Sequence, residues 1–86
     1  MRVLIPNPLR SYTRDAPVVS ASGSTLGELT RELDRRYPGM RFRVIDEQGH
    51  IRRHIRFFVN GTQSMDLSAP LREDDEVMIV CALSGG

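Results

Sequence analysis

Apolar positions along the chain follow two rhythms, alternate residues in some stretches and a three-and-four spacing in one. Val3, Leu4 and Ile5 form a short β-prone run stopped by Pro6 and Pro8. Asn7 to Asp15 is polar and turn-like, and Pro17-Val18-Val19-Ser20-Ala21 is a second strand, so the stretch between them suits a wide hairpin loop. Ser22-Gly23-Ser24 punctuates the chain. Thr25-Leu26-Gly27-Glu28 is then a capping box, in which Thr25 and Glu28 satisfy each other's end of a helix. Leu26, Leu29, Leu33 and Tyr37 recur at helical spacing and leave Glu28, Arg31, Glu32, Arg35 and Arg36 outside. Pro38-Gly39 stops the helix.

Met40 to His54 shows no period, with Phe42, Val44, Ile45 and Ile51 as scattered apolar anchors. Ile55-Arg56-Phe57-Phe58-Val59 is a strand, closed by the tight-turn pair Asn60-Gly61. Alternation puts Ile55, Phe57 and Val59 on one face, Arg56 and Phe58 on the other. Gln63 to Leu67 suits a short return strand. Ala69-Pro70-Leu71 bridges to the acidic turn Glu73-Asp74-Asp75, which launches a last strand with Val77, Ile79 and Cys81 on one face and Met78 and Val80 on the other.

Two hairpin-like halves around one helix predict an α+β class. The first and last strands are expected side by side and parallel at the sheet centre, with the helix in the crossover. That is a β-grasp, a ubiquitin-like mixed sheet of four to five strands with one main helix packed on one face. Residues 1–81 would form the domain and 82–86 a flexible tail ending in Gly-Gly.

Size allows one modest core, since a domain of 86 residues buries roughly 60–65% of the surface its unfolded chain exposes. No apolar window is long enough to span a membrane, and the apolar stretch at the N-terminus is too short for a signal peptide. The single cysteine, Cys81, excludes an internal disulfide framework and any multi-cysteine metal site. The expectation is a cytoplasmic monomer without membrane or nucleic-acid partners, the net charge being only +1. All 12 residues counted as Lys or Arg are arginine. Without a lysine, the domain offers no side-chain amine on which lysine-linked chains of itself could grow.

The chemistry is expected at the other end. Gly85-Gly86 follow an apolar β-run through Ala82, Leu83 and Ser84. Glycine packs nothing and costs backbone entropy, so its use here implies a close approach to the backbone. From Cys81 onward an extended tail reaches on the order of 17 Å at ~3.3 Å per residue, enough to enter another protein's active site. A frayed end is the plain alternative, because termini are commonly disordered.

Phe58-Val59-Asn60-Gly61, the apolar-led stretch to Leu71, Asp74-Asp75-Glu76-Val77-Met78-Ile79-Val80 and Ser84-Gly85-Gly86 together resemble the ubiquitin-like sulfur-carrier family. That family includes the small subunit of molybdopterin synthase and the thiamine sulfur carrier. Ile5-Pro6-Asn7-Pro8-Leu9-Arg10 and Val19 to Gly27 are most similar to the branch serving cysteine biosynthesis. Many members have Pro-Pro before the tail, where this chain has Cys81-Ala82. The resemblance implies that an E1-like adenylating and sulfurtransferase enzyme, using ATP and Mg, activates the Gly86 carboxylate. Sulfur then replaces AMP as a thiocarboxylate and passes to a sulfur-accepting biosynthetic enzyme. It implies a co-substrate with no catalytic residues, cofactor or metal of its own. Conjugation of Gly86 to target lysines, as in a ubiquitin-like modifier, is the second reading. An interaction module with an inert tail is the third. Cysteine is the first choice of product; molybdopterin, thiamine and a sulfur-containing secondary metabolite remain open.

Further positions bear on partners. Leu83, Ser84 and Gly85 would thread the partner's channel. Phe58, Met78, Val80 and Arg56 would form the docking surface, since an outward apolar patch marks a partner site. Cys81 shares a face with Val77 and Ile79 and is expected as a small buried hydrophobe instead of the sulfur-bearing group. His50 and His54 lack other ligand types at metal spacing and are expected in solvent. Arg52-Arg53-His54 with Arg56 is the main positive cluster, either a dock for an acidic enzyme surface or a solvated strand edge.

Overall fold

A computed structural model describes residues 1–82. The principal helix α1 (Leu26–Arg36) starts where its orphan donors can be satisfied. Thr25 Oγ1 accepts from Glu28 N at 3.1 Å, while Thr25 O accepts the first regular helical bond, from Leu29 N at 3.0 Å. The other two donors go to a distant loop, Leu26 N to Ala69 O (3.0 Å) and Gly27 N to Leu67 O (2.7 Å). The capping box is therefore only half as expected. The Glu28 carboxylate reaches back one residue further, to Ser24 N at 3.0 Å and the Ser24 hydroxyl, which holds the carboxyl below its ordinary pKa. Leu26, Leu29 and Leu33 are fully buried, as the helical spacing predicts.

Five strands form one mixed sheet: β1 (Arg2–Leu4), β2 (Val18–Ser20), β3 (Ile55–Val59), β4 (Thr62–Gln63) and β5 (Glu76–Cys81), in the order β2-β1-β5-β3-β4. β5 lies parallel to β1, with Val3 opposite Val77, and antiparallel to β3, with Phe57 opposite Ile79. The helix side of the sheet carries Val3, Val19, Ile55, Phe57, Val77 and Ile79, which form one buried core with the α1 leucines. This is the β-grasp architecture, with the last strand central.

Three segments differ from their sequence reading. Asn7–Thr13 is a 3-10 helix instead of an open loop, entered through Pro6 and Pro8. Proline presets a helical φ at the first turn, and burial of Leu9 ties the segment to the core. The irregular stretch after α1 begins with a short helix, α2 (Met40–Val44). Met40 and Val44, one turn apart, are buried, which leaves Phe42 pointing outward and 56% exposed instead of anchoring the core. The return strand is Thr62–Gln63 alone, paired with Phe58 and Val59, not Gln63 to Leu67. Leu67 to Leu71 leave the sheet because their backbone is needed at the start of α1, where Leu71 N also donates to Ser24 O at 3.0 Å.

The Asn60–Asp75 junction explains the Asn-Gly and acidic-turn motifs together. Asn60, at φ 50, donates from Nδ2 to Asp75 Oδ1 (2.8 Å) and accepts from Glu76 N (2.9 Å). Asp75 Oδ2 accepts from Arg72 N at 2.8 Å. One turn is thus locked to the next, and the start of β5 is held in register with β3.

Candidate functional site

The open face of the sheet carries the expected docking residues, and register decides which of them meet. Phe58 sits directly opposite Met78, and Arg56 opposite Val80. The same row continues through residues the sequence reading did not select. Met78 is opposite Leu4, and Leu4 opposite Val18, so Val18, Leu4, Met78 and Phe58 cross four strands side by side. Met78 and Val18 are each 38% exposed. Leu4 and Val18 were open to detection by alternation, since Val3 and Val19 are buried and their neighbours must face the other way. Beyond the row, Leu4, Pro6, Arg10, Pro17, Val18 and Met78 line a groove of about 250 Å³. Arg10 is held at its rim by Nε donation to Ile5 O at 2.9 Å and by a bond to Asn7 Oδ1.

Next to this row, toward the end of β5, the surface turns polar. The Arg56 guanidinium donates to Arg53 O (2.5 Å) and Ile55 O (2.8 Å), which folds it against the start of β3. Ala82 N donates to His54 O at 2.6 Å, so the last described residue is still tied to the sheet beside β3. Leu83, Ser84, Gly85 and Gly86 lie outside the described residues. Of the sequence-selected docking residues, Val80 and Arg56 pair next to the end of β5, and Met78 and Phe58 pair two residues further back.

Cys81 is half-buried at the end of β5 and packs against the core edge. Burial pushes its thiol pKa up, with the nearby Arg43 charge working the other way. A thiol so placed is a poor nucleophile at neutral pH. His50 and His54 are both exposed, as expected. Among the described residues, no group of three or more His, Cys, Asp or Glu side chains is placed to hold a metal ion. No helix of the described residues is long and apolar enough to cross a membrane.

The sequence profile of the ThiS family matches residues 3–86. The chain belongs to the ThiS family. This ThiS-family protein is similar to the sulfur carrier protein CysO of Mycobacterium tuberculosis, at 35% identity over 98% of this chain and 96% of that protein. Its fold is similar to a chain in the crystal structure of the Amycolatopsis orientalis BexX/CysO complex, with a TM-score of 0.90, 31% identity and coverage of 99% of this chain and 98% of that one. The small archaeal modifier protein 1 of Methanosarcina acetivorans superposes with a TM-score of 0.81 over 99% of this chain and 94% of its own. At 23% identity that likeness shows the fold alone.

Proposed function

We propose that this protein is a sulfur carrier whose working group is the Gly86 carboxylate. The observation that carries the reading is the near full-length similarity to a protein named as a sulfur carrier, within a family match that runs through residue 86. A partner enzyme, binding ATP and Mg itself, joins a Gly86 carboxylate oxygen to the α-phosphorus of ATP and releases pyrophosphate. Sulfide then attacks the acyl carbon; AMP leaves, a proton goes to solvent and the tail ends in a thiocarboxylate. The sulfur anion is a soft nucleophile. It displaces a leaving group, which departs with its bonding pair, from an electrophilic carbon of a small acceptor held by a second enzyme; water then hydrolyses the resulting thioester, returning the carboxylate and leaving a thiol on the acceptor. Cysteine biosynthesis is the proposed destination, because the N-terminal segments resemble that branch and the CysO similarity points the same way. The protein works in this scheme as a cytoplasmic, monomeric co-substrate, with catalysis supplied by its partners.

The open-face row seats the adenylating enzyme in this reading. Val18, Leu4, Met78 and Phe58 supply the apolar centre, with Val80 and Arg56 toward the tail, while Leu83, Ser84 and Gly85 thread the channel. Association of the A. orientalis relative with BexX supports a protein partner on this branch. The reading is tested by deleting Gly86. The shortened chain presents its carboxylate ~3.3 Å short of the position where it must meet ATP. Displacements of even ~1 Å can cost on the order of 100-fold in such reactions. With the cognate adenylating enzyme, ATP and sulfide, intact-mass analysis is expected to show exchange of one oxygen for sulfur in the full chain only. Equal conversion of the deletion, or modification mapping to Cys81, would end the proposal.

A further inference from the structure

The cations of this chain are not spread evenly about its sheet. Arg43, Arg52, Arg53, His54 and Arg56 gather around the end of β5. His54 O binds Ala82 N, Arg56 lies opposite Val80, and the charge of Arg43 is felt at the Cys81 thiol. The three ion pairs among the described residues, Arg2–Glu76, Arg35–Glu32 and Arg36–Glu32, include none of them. Asp46 senses Arg52 but is held first by backbone N–H groups of His50 and Gln48. At the other end of β5 stand Glu73, Asp74, Asp75 and Glu76. Arg2 pairs with Glu76 and Arg72 lies beside Asp75, so that end keeps an acidic excess while the tail end keeps a basic one.

On the helix side the cluster has a shaped, pre-organised part. The Arg52 guanidinium lies 4.5 Å from the centroid of the exposed Phe42 ring, and its Nε donates to Phe42 O at 2.7 Å. Phe42, Arg43, Arg52 and His54 line a groove of about 180 Å³. A planar cation already stacked and hydrogen-bonded loses little freedom when it meets a carboxylate.

We infer that this basic flank docks against an acidic lip, rich in Asp and Glu, around the channel mouth of the enzyme that adenylates the tail. The inference rests on the carrier reading and goes beyond its open-face contact. Four residues follow Ala82, and fully extended they reach only ~13–14 Å. An enzyme that draws the Gly86 carboxylate into its active site must therefore bring the channel mouth against the residues ringing Ala82. On that side of the strand end stand the arginines Arg43, Arg52, Arg53 and Arg56, with His54 among them. Opposite charge at the mouth is the chemistry that avoids repulsion there, and the acidic far pole turns the carrier tail-first on approach.

The test compares association rates with the cognate adenylating enzyme by stopped flow, alongside intact-mass conversion of the wild type. Arg52→Glu combined with Arg53→Glu reverses two flank charges. Arg31→Glu combined with Arg72→Glu makes the same change in net charge away from the tail, and thermal melts confirm that both variants fold. At about 0.05 M NaCl the flank variant is expected to bind at least about tenfold more weakly, chiefly through a slower on-rate. The gap closes by about 0.5 M as screening shortens the reach of charge. Equal association of flank variant and wild type at low salt overturns the inference, as does an equal loss in the control. Single-stranded RNA bound by the wild type and not by the flank variant, with enzyme association unchanged, assigns the patch to nucleic acid and overturns it too. A wild type that associates in this charge-dependent way without gaining sulfur mass defeats the carrier reading and leaves the acidic docking in place.

Discussion

Phe57 and Phe58 are neighbours in β3 with opposite assignments, so truncating each separates core from surface in one experiment. Phe57 is fully buried opposite Ile79. Removing a buried ring costs about 3–5 kcal/mol through lost transfer energy and the cavity left behind. A domain of this size holds only about 4–13 kcal/mol in total at the usual ~0.05–0.15 kcal/mol per residue, so Phe57→Ala is expected to lose roughly a quarter of it or more. Phe58 is half-buried on the open face, opposite Met78. Its truncation gives up cross-strand pairs with Met78 and Gln63, about 0.2–1 kcal/mol each. The same change should weaken association with the adenylating enzyme by about 2 kcal/mol or more, roughly 30-fold, as for a central aromatic anchor. Urea melts and titration calorimetry on both variants check the pair. A Phe58→Ala melt as damaging as that of Phe57→Ala would refute the face assignment, and unchanged calorimetry would remove Phe58 from the interface.

Gly23→Ala is expected to lower stability by about 1–3 kcal/mol, because the added Cβ would lie 2.7 Å from Leu29 N and 2.9 Å from Leu29 Cα. A urea melt within about 0.5 kcal/mol of wild type would show that the link into α1 can move aside. Asp75 is held below its ordinary pKa by Arg72 N first and then by the Asn60 amide. The stability it contributes is therefore present above about pH 4 and lost as pH falls through its lower folded value. Asp75→Asn should be weaker than wild type at neutral pH, with the gap narrowing in acid; a gap independent of pH in paired melts would contradict the clamp.

The parts of this fold that were legible in the sequence are those with a local rule. Thr25 and the Leu26, Leu29, Leu33 spacing mark α1, and alternation in Ile55 to Val59 and Val77 to Cys81 assigns both faces of the two longest strands. Parallel pairing of the first and last strands followed from element order. What stayed hidden depends on distant partners. Asn7–Thr13 has no long apolar period, and only the burial of Leu9 shows why it curls into a helix. Phe42 is apolar, and nothing nearby in sequence says that Met40 and Val44 take the buried side of that turn. The Glu28 carboxylate chose Ser24 over Thr25, a difference of one residue beyond the resolution of a motif. At the candidate site, Phe58, Met78, Val80 and Arg56 were readable from period two alone. Alternation also turns Leu4 and Val18 outward, but their place in the same row follows only from the register across β1 and β2.

The central position of β5 also bears on how the molecule withstands force. An enzyme that grips the C-terminal segment and draws it inward pulls along the axis of a strand bonded on both edges, to β1 in parallel and to β3 in antiparallel register. Such a pull loads the two ladders in shear, so many hydrogen bonds must yield together instead of peeling open one after another. A tail continuing an edge strand such as β2 would have a neighbour on one side only. In the proposed scheme such a pull would leave the body folded, its lifetime under load being set by an unfolding rate that the paired ladders keep slow.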